Sequence, residues 1–71
     1  MNAKEWIAAY AAELGIEPPT GTEFKAILEL AAEAAHASER TAAPAACWLA
    51  AKTGRTLEKS LAAARRVGEE A

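Results

Sequence analysis

Alanine is the feature that most limits what this chain can fold into, because it makes up 21 of the 71 residues. It is the best helix former and buries little surface, whereas strands favour the β-branched and aromatic residues that are scarce here. A chain this short buries only about 60% of the surface that it exposes when unfolded. The composition therefore predicts closely packed helices with a thin core, which a second surface would have to cover.

The charge is small overall but unevenly distributed. Ten acidic and eight basic residues give a formal charge of −2, so no overall field would collect polyanions. Residues 1–40 hold three basic and seven acidic side chains, a net −4, while residues 41–71 hold five basic and three acidic, a net +2. The two halves are therefore expected to attract each other, within one chain or between chains.

Cysteine usage and hydropathy indicate the compartment. The single Cys47 has no intrachain partner, which excludes a disulfide scaffold and agrees with a reducing environment. The longest uncharged stretch, residues 41–51, is far shorter than the roughly 20 residues that cross a bilayer, and charges interrupt the N-terminal segment. We therefore expect a cytoplasmic protein with no membrane segment.

Glycine and proline divide the chain into four segments, each long enough for an amphipathic helix. Local residue types then predict where each helix begins and ends. The expected helices are residues 3–14, with Asn2 as cap and Gly15 as stop; 21–38, with Thr20 and Glu23 at capping-box spacing; 42–53, with Thr41 as cap, Pro44 in the first turn and Gly54 as stop; and 57–67, capped by Thr56.

Connections this short favour helices that are neighbours in space, so the sequence predicts one all-α domain over residues 1–71, a small four-helix bundle. The expected core or interaction anchors are Trp6, Phe24, Trp48 and Leu61, and truncation of an enclosed tryptophan costs about 3–5 kcal/mol. The inward faces are expected to include Leu28 on the second helix, Cys47, Trp48 and Ala51 on the third, and Leu57, Leu61, Ala64 and Val67 on the fourth.

One corner carries the most unusual residues of the chain. Glu29, Glu33, His36 and Arg40 step by four, three and four, which places them on one face of a helix. With Thr41 at the start of the next helix, whose free N–H groups favour an anion, this corner is a candidate site for a phosphate or carboxylate. The alternative, which spacing alone favours, is a solvated face with weak surface ion pairs.

Other chemistry is poorly supported. The chain contains no aspartate, Gly-rich phosphate loop or nucleophile elbow, so no catalytic site and no cofactor are expected. One histidine and one cysteine, eleven residues apart, do not make a closed zinc site, so no metal is expected either. Cys47 beside Trp48 is interpreted as a small buried hydrophobic residue rather than a reactive thiol.

Basic residues concentrate near the C-terminal end, at Lys52, Arg55, Lys59 and Arg66. A basic helix of this kind can contact phosphates, but a solvated outer face is the more ordinary interpretation. The pairs Arg65–Glu69 and Arg66–Glu70 partly cancel the positive field, and no pattern of polar residues that read bases accompanies them. Nucleic-acid binding is therefore not expected.

The segment Ala35-His36, Arg40, Ala43-Pro44 and Trp48-Leu49 resembles a small bacterial family of helical domains of uncharacterised function, and the similarity extends over essentially the whole chain. In that family the domain occurs alone or attached to the molybdenum-cofactor guanylyltransferase, which joins a guanine nucleotide to molybdopterin. The resemblance implies a cytoplasmic accessory module without activity of its own.

Two hypotheses about function follow. In the first, the chain is a non-catalytic interaction module that forms a homodimer or docks onto a cofactor-biosynthesis enzyme. In the second, the corner of His36 and Arg40, with Glu33 and Thr41, binds a small anionic ligand such as the phosphate of a nucleotide or pterin.

Overall fold

The computed structural model of the chain describes residues 1–70 and contains four α-helices and no strand in that range. The helices are α1 (Ala3–Leu14), α2 (Gly21–Ala37), α3 (Ala42–Thr53) and α4 (Leu57–Glu70). The all-α class is confirmed, and α2 ends one residue earlier than expected. The side chain of Glu70, and with it the expected Arg66–Glu70 pair, lies outside the described residues.

Helix α4 continues three residues beyond the expected end at residue 67. The backbone stays helical through Gly68 and is not in the left-handed region there. A Cβ at Gly68 would lie 3.7 Å from the Glu33 side-chain oxygen Oε1, so the last turns of α4 run close beside α2.

Both ends of α1 follow from local hydrogen bonding, as predicted. The Glu5 N–H donates to Asn2 Oδ1 at 2.8 Å, which satisfies one free donor of the first turn. Gly15 adopts a left-handed conformation with φ of 75° and donates to the Ala12 carbonyl at 3.1 Å. The Ile16 N–H reaches back to the Ala11 carbonyl at 3.0 Å, which completes a Schellman motif.

The left-handed conformation gives a test of this helix end. Replacing Gly15 with alanine is expected to destabilise the fold by about 1 kcal/mol, because the added Cβ strains the left-handed backbone although no atom lies within 4 Å of it. Gly21→Ala is the matched control, since Gly21 opens α2 with negative φ and has equal space. Urea unfolding followed by circular dichroism measures both, and equal effects would contradict the assignment.

Helix α2 begins with the predicted capping box. The Glu23 N–H donates to Thr20 Oγ1 at 3.1 Å, and the Thr20 N–H donates to Glu23 Oε1 at 2.8 Å. The helix ends at Ala37 because Ser38 leaves helical geometry, with its hydroxyl donating to the Ala34 carbonyl at 2.8 Å. The Ser38 N–H donates to the same carbonyl at 3.2 Å, which is the last bond of helical spacing before the chain turns away.

The corner between α3 and α4 is short and built from local contacts. Gly54 takes a left-handed conformation with φ of 70°, and the Lys59 N–H donates to Thr56 Oγ1 at 3.2 Å. Both the predicted stop and the predicted cap are therefore confirmed. Only residues 54–56 separate the two helices, and both of them pack against α2.

Helix α2 is the centre of the fold, since the extensive helix contacts are those of α2 with α3 and of α2 with α4. Helix α1 lies beside the start of α2, where Ile7, Pro19 and Phe24 line a cavity of about 180 Å³ between the two helices. The radius of gyration is 12.8 Å, compared with about 11 Å for a compact domain of this length. The molecule is therefore elongated.

The core is as thin as the composition predicts. Among the described residues, the buried apolar side chains are Ala11, Leu30 and Leu61. Leu61 is thus a core residue as predicted, and Phe24 is half-buried. The predicted four-helix bundle would enclose more large side chains than the described part of the structure does.

Several expected inward residues are exposed instead, and α3 shows why. Its inner side is formed by small residues, Ala42, Ala43, Ala46, Cys47 and Ala50, which are all half-buried. Alanine lets two helix axes approach closely, so the alanine side packs against α2 and the bulky side turns outward. The predicted burial was wrong for Leu28, Trp48, Ala51 and Val67, and Trp6, predicted as a core or interaction anchor, is not a core residue.

Candidate interaction surface

The chain exposes more surface than a folded monomer of its size. Its accessible area is 5613 Å², and a compact protein of 7.4 kDa exposes about 4,200 Å². The excess, about 1,400 Å², includes a set of large apolar side chains that lie open to solvent. The most exposed of these within the helices are Trp6, Tyr10, Leu14, Leu28, Trp48, Leu49 and Val67.

A first exposed area follows one side of α1. Trp6, Tyr10 and Leu14 are spaced by four residues and are each about half exposed. The rings of Trp6 and Tyr10 lie 5.0 Å apart between centroids, so they form one continuous apolar surface. We call these three residues the α1 stripe. Ile7 and Ala11, which are half-buried and buried, lie on a different side of the helix.

A second apolar area is a groove of about 560 Å³ between α3 and α4, which both pack against α2. Leu30, Ala34 and Ala37 of α2 line it, together with Leu49 of α3 and Val67 of α4. Small alanine side chains along both walls leave the space open. We call this the α3–α4 groove. Its volume falls within the range of about 300–1,000 Å³ that is typical of ligand pockets.

A third area is the outer side of α3, where 61% of Trp48 is exposed. The Lys52 ammonium nitrogen lies 5.0 Å from the centroid of the Trp48 ring, within the range of a cation–π interaction. Because the site is exposed, that contact contributes only about 0.5–1 kcal/mol. Trp48 is therefore a surface residue with one charged neighbour, and it is available to a partner.

The predicted anion corner is only partly assembled. His36 and Glu33 line a surface depression of about 490 Å³ with Arg65 and Glu69 of α4. Arg40 lies beyond the end of α2, so the helical stripe that would bring it beside His36 stops at Ala37. The depression therefore gives His36 two carboxylates and one guanidinium as neighbours, which is a mixed rather than an anion-selective set.

The start of α3 also differs from the prediction. Thr41 precedes the helix as expected, but its backbone is itself helical and its side chain makes no capping bond. The Ala42 and Ala43 N–H groups donate to the carbonyls of Glu39 and Arg40 at 3.0 and 3.1 Å, and Pro44 has no N–H. These backbone donors are not free for an anion. Ligand binding at this corner stays a prediction and would depend on side chains.

Cys47 is half-buried on the inner side of α3, where it lines a cavity of about 290 Å³ with Ile27, Leu30 and Leu57. Burial raises the pKa of its thiol, because the charged thiolate is poorly solvated there. A raised pKa leaves less thiolate at neutral pH, so this environment disfavours a nucleophilic role. The position agrees with the interpretation of Cys47 as a packing residue.

The sequence places Trp6, Tyr10 and Leu14, with Ile7 and Ala11, on the apolar face of the first helix, but it predicts neither the exposure of the α1 stripe nor a role for Leu49. The available signal was the spacing of four between Trp6, Tyr10 and Leu14, which also fits a buried helix face. A sequence pattern shows that a side is apolar but not what covers it.

The whole chain, residues 1–71, matches the model of a family described as a domain of unknown function, DUF6457. No curated protein and no solved structure matches the chain. Within residues 1–70, no helix has the length and apolar character needed to cross a membrane.

Proposed function

The chain belongs to the DUF6457 family of domains of unknown function, and we propose that it acts as a non-catalytic interaction module. The observation that carries this proposal is the excess of about 1,400 Å² of accessible surface over a compact monomer of equal mass. Large exposed apolar areas on soluble proteins mark binding surfaces. Docking onto another protein would cover side chains that the chain's own thin core leaves in water.

Two partners are proposed for this module. The first is a second copy of the chain, which the opposite charges of its two halves favour. The second is a molybdenum-cofactor nucleotidyltransferase in the cytoplasm, which the resemblance of the segment around His36, Arg40 and Pro44 supports. In both cases the module contributes surface rather than chemistry, and a catalytic constellation is not part of the proposal.

The test measures association with each partner separately. Light scattering over a concentration series of the purified chain is expected to show a rise from monomer to dimer mass. Titration calorimetry with a molybdenum-cofactor guanylyltransferase from the same cell is expected to show binding if the enzyme is the partner. A chain that stays monomeric throughout the series and gives no heat with the enzyme would overturn the proposal.

Binding of a small anion at the His36 corner is the weaker of the two hypotheses. The N–H groups at the start of α3 are bonded to backbone carbonyls, and Glu33 and Glu69 add negative charge beside His36. The apolar surfaces described above support protein binding better than the described residues of this corner support anion binding. We therefore do not advance anion binding as a second function.

A further inference from the structure

We propose that two copies of the chain associate reciprocally, with the α1 stripe of each copy seated in the α3–α4 groove of the other. This inference rests on the proposed interaction function and specifies the partner as a second copy. It pairs the two apolar surfaces that one chain carries, and it leaves the outer side of α3 with Trp48 free for a further partner.

The first argument is the position of the two surfaces along α2. Helix α1 meets α2 near Phe24, whereas the groove begins at Leu30 and continues to Ser38. Helix α1, which carries the stripe, therefore contacts the first half of α2, and the groove lies over the second half of this helix, which is about 25 Å long. Two copies with antiparallel α2 helices would bring each stripe to the groove end of the other copy, which is the self-complementary geometry of a two-fold dimer.

The second argument is area. Each copy has an excess of about 1,400 Å² of accessible surface, so about 2,800 Å² is the upper limit of the interface, and the outer side of α3 with Trp48 stays outside it. Permanent homodimers bury about 2,000–5,000 Å² in total, and small transient contacts bury less than about 1,200 Å². A second copy therefore has the right size, whereas a small ligand in the groove would leave the α1 stripe exposed.

Charge does not oppose this pairing. Helix α1 carries one basic and two acidic side chains, Lys4, Glu5 and Glu13. The charged side chains that line the groove are Glu33 and Arg55, whose charges cancel. The contact between stripe and groove is therefore mainly apolar.

The experiment uses one charged substitution in each surface of the full chain. Tyr10→Glu places a carboxylate in the middle of the stripe, and Val67→Glu places one on the α4 wall of the groove. Each variant is expected to weaken self-association by about 30-fold or more, as at the centre of a protein interface. Ala12→Glu on α1 and Ala62→Glu on α4 change exposed residues outside both surfaces and are expected to associate as the wild type does.

The decisive measurement mixes the two variants in equal amounts. The Tyr10→Glu copy has an intact groove and the Val67→Glu copy has an intact stripe, so a heterodimer holds one undamaged contact. Analytical ultracentrifugation is expected to show heterodimer at concentrations where each variant alone is monomeric. Circular dichroism of every variant shows whether it is still helical, and the controls on the same helices report any general effect of added charge.

The outcomes separate this inference from the proposed function. Two monomeric variants whose mixture stays monomeric would overturn the stripe-to-groove pairing, as would variants that dimerise normally, while an interaction role would stand. Release of the dimer by a small apolar molecule that binds the groove would support the pairing. A wild-type chain that never dimerises would overturn it, and the proposed function would then depend on binding to the enzyme alone.

Discussion

Replacing Leu30 with alanine is expected to lower the free energy of unfolding by about 3 kcal/mol, the largest loss from any single truncation in the chain. Only 3% of Leu30 is exposed, and the side chain lines both the α3–α4 groove and the cavity beside Cys47. Its removal would join two spaces that the thin core cannot refill. A domain of this length has a total stability of about 4–11 kcal/mol, so about a quarter to three quarters of it would be lost.

Leu28→Ala is the matched control, because it removes the same atoms from the same helix. Leu28 is 56% exposed and is expected to contribute less than about 1 kcal/mol. Urea unfolding followed by circular dichroism, at a protein concentration below that of self-association, measures both free energies. Equal losses would contradict the orientation of α2, in which Leu30 is buried and Leu28 is exposed.

Replacing Ala11 with glutamate is expected to detach α1 from the rest of the fold. Ala11 is 5% exposed, and a carboxylate forced into that position would lose its hydration at a cost of several kcal/mol. Helix α1 is not one of the helices that make extensive contacts, so its packing cannot offset that cost. Hydrogen exchange should become much faster at α1 amides, while amides of α2 to α4 keep most of their protection.

Ala12→Glu places the same carboxylate on the exposed side of α1 and is expected to leave exchange in that helix nearly unchanged. The comparison removes the effects of helix propensity and added charge. Loss of protection across all four helices in Ala11→Glu would show that α1 folds as one cooperative unit with α2 to α4, contrary to the limited contact of α1.

The helix boundaries were predictable from the sequence because their causes are local. Asn2, the pair Thr20 and Glu23, and Thr56 each offer an oxygen to a nearby free N–H, and Gly15 and Gly54 accept a left-handed backbone. None of these interactions depends on the rest of the fold. The end of α2 at Ala37 was not resolved by the pattern, because the Ser38 hydroxyl bond to the Ala34 carbonyl also fits a continuing helix.

The orientation of α3 was not predictable in the same way. Its sequence is apolar on nearly every side, so a hydropathy pattern does not select one face. The large side chains predict that Trp48 lies inside. Close approach of the α2 and α3 axes instead favours packing of the alanine side of α3 against α2. The choice depends on the shape of α2, which the sequence of α3 does not contain.

The candidate site was predictable only in part for a related reason. An excess of apolar surface followed from the many alanines and the short length. Assembly of His36 with Arg40 required a helix that continues past Ser38, and the backbone leaves helical geometry at that residue. The spacing of residues alone therefore could not decide whether the apolar surface or the corner of His36 and Arg40 carries the function.

The topology around α2 also has a consequence for kinetics. Its extensive contacts are with α3, the next helix in the chain, and with α4, whose Gly68 lies beside Glu33 although about half of the chain separates them. Most contacts of the chain are nevertheless local, and small helical proteins of this kind fold in microseconds to milliseconds. With only modest stability, a fast folder also unfolds quickly, and the chain would open and close many times before a slowly diffusing partner arrives. Unfolded molecules would then refold faster than partners meet. The rate of association would be limited by diffusional encounter rather than by refolding.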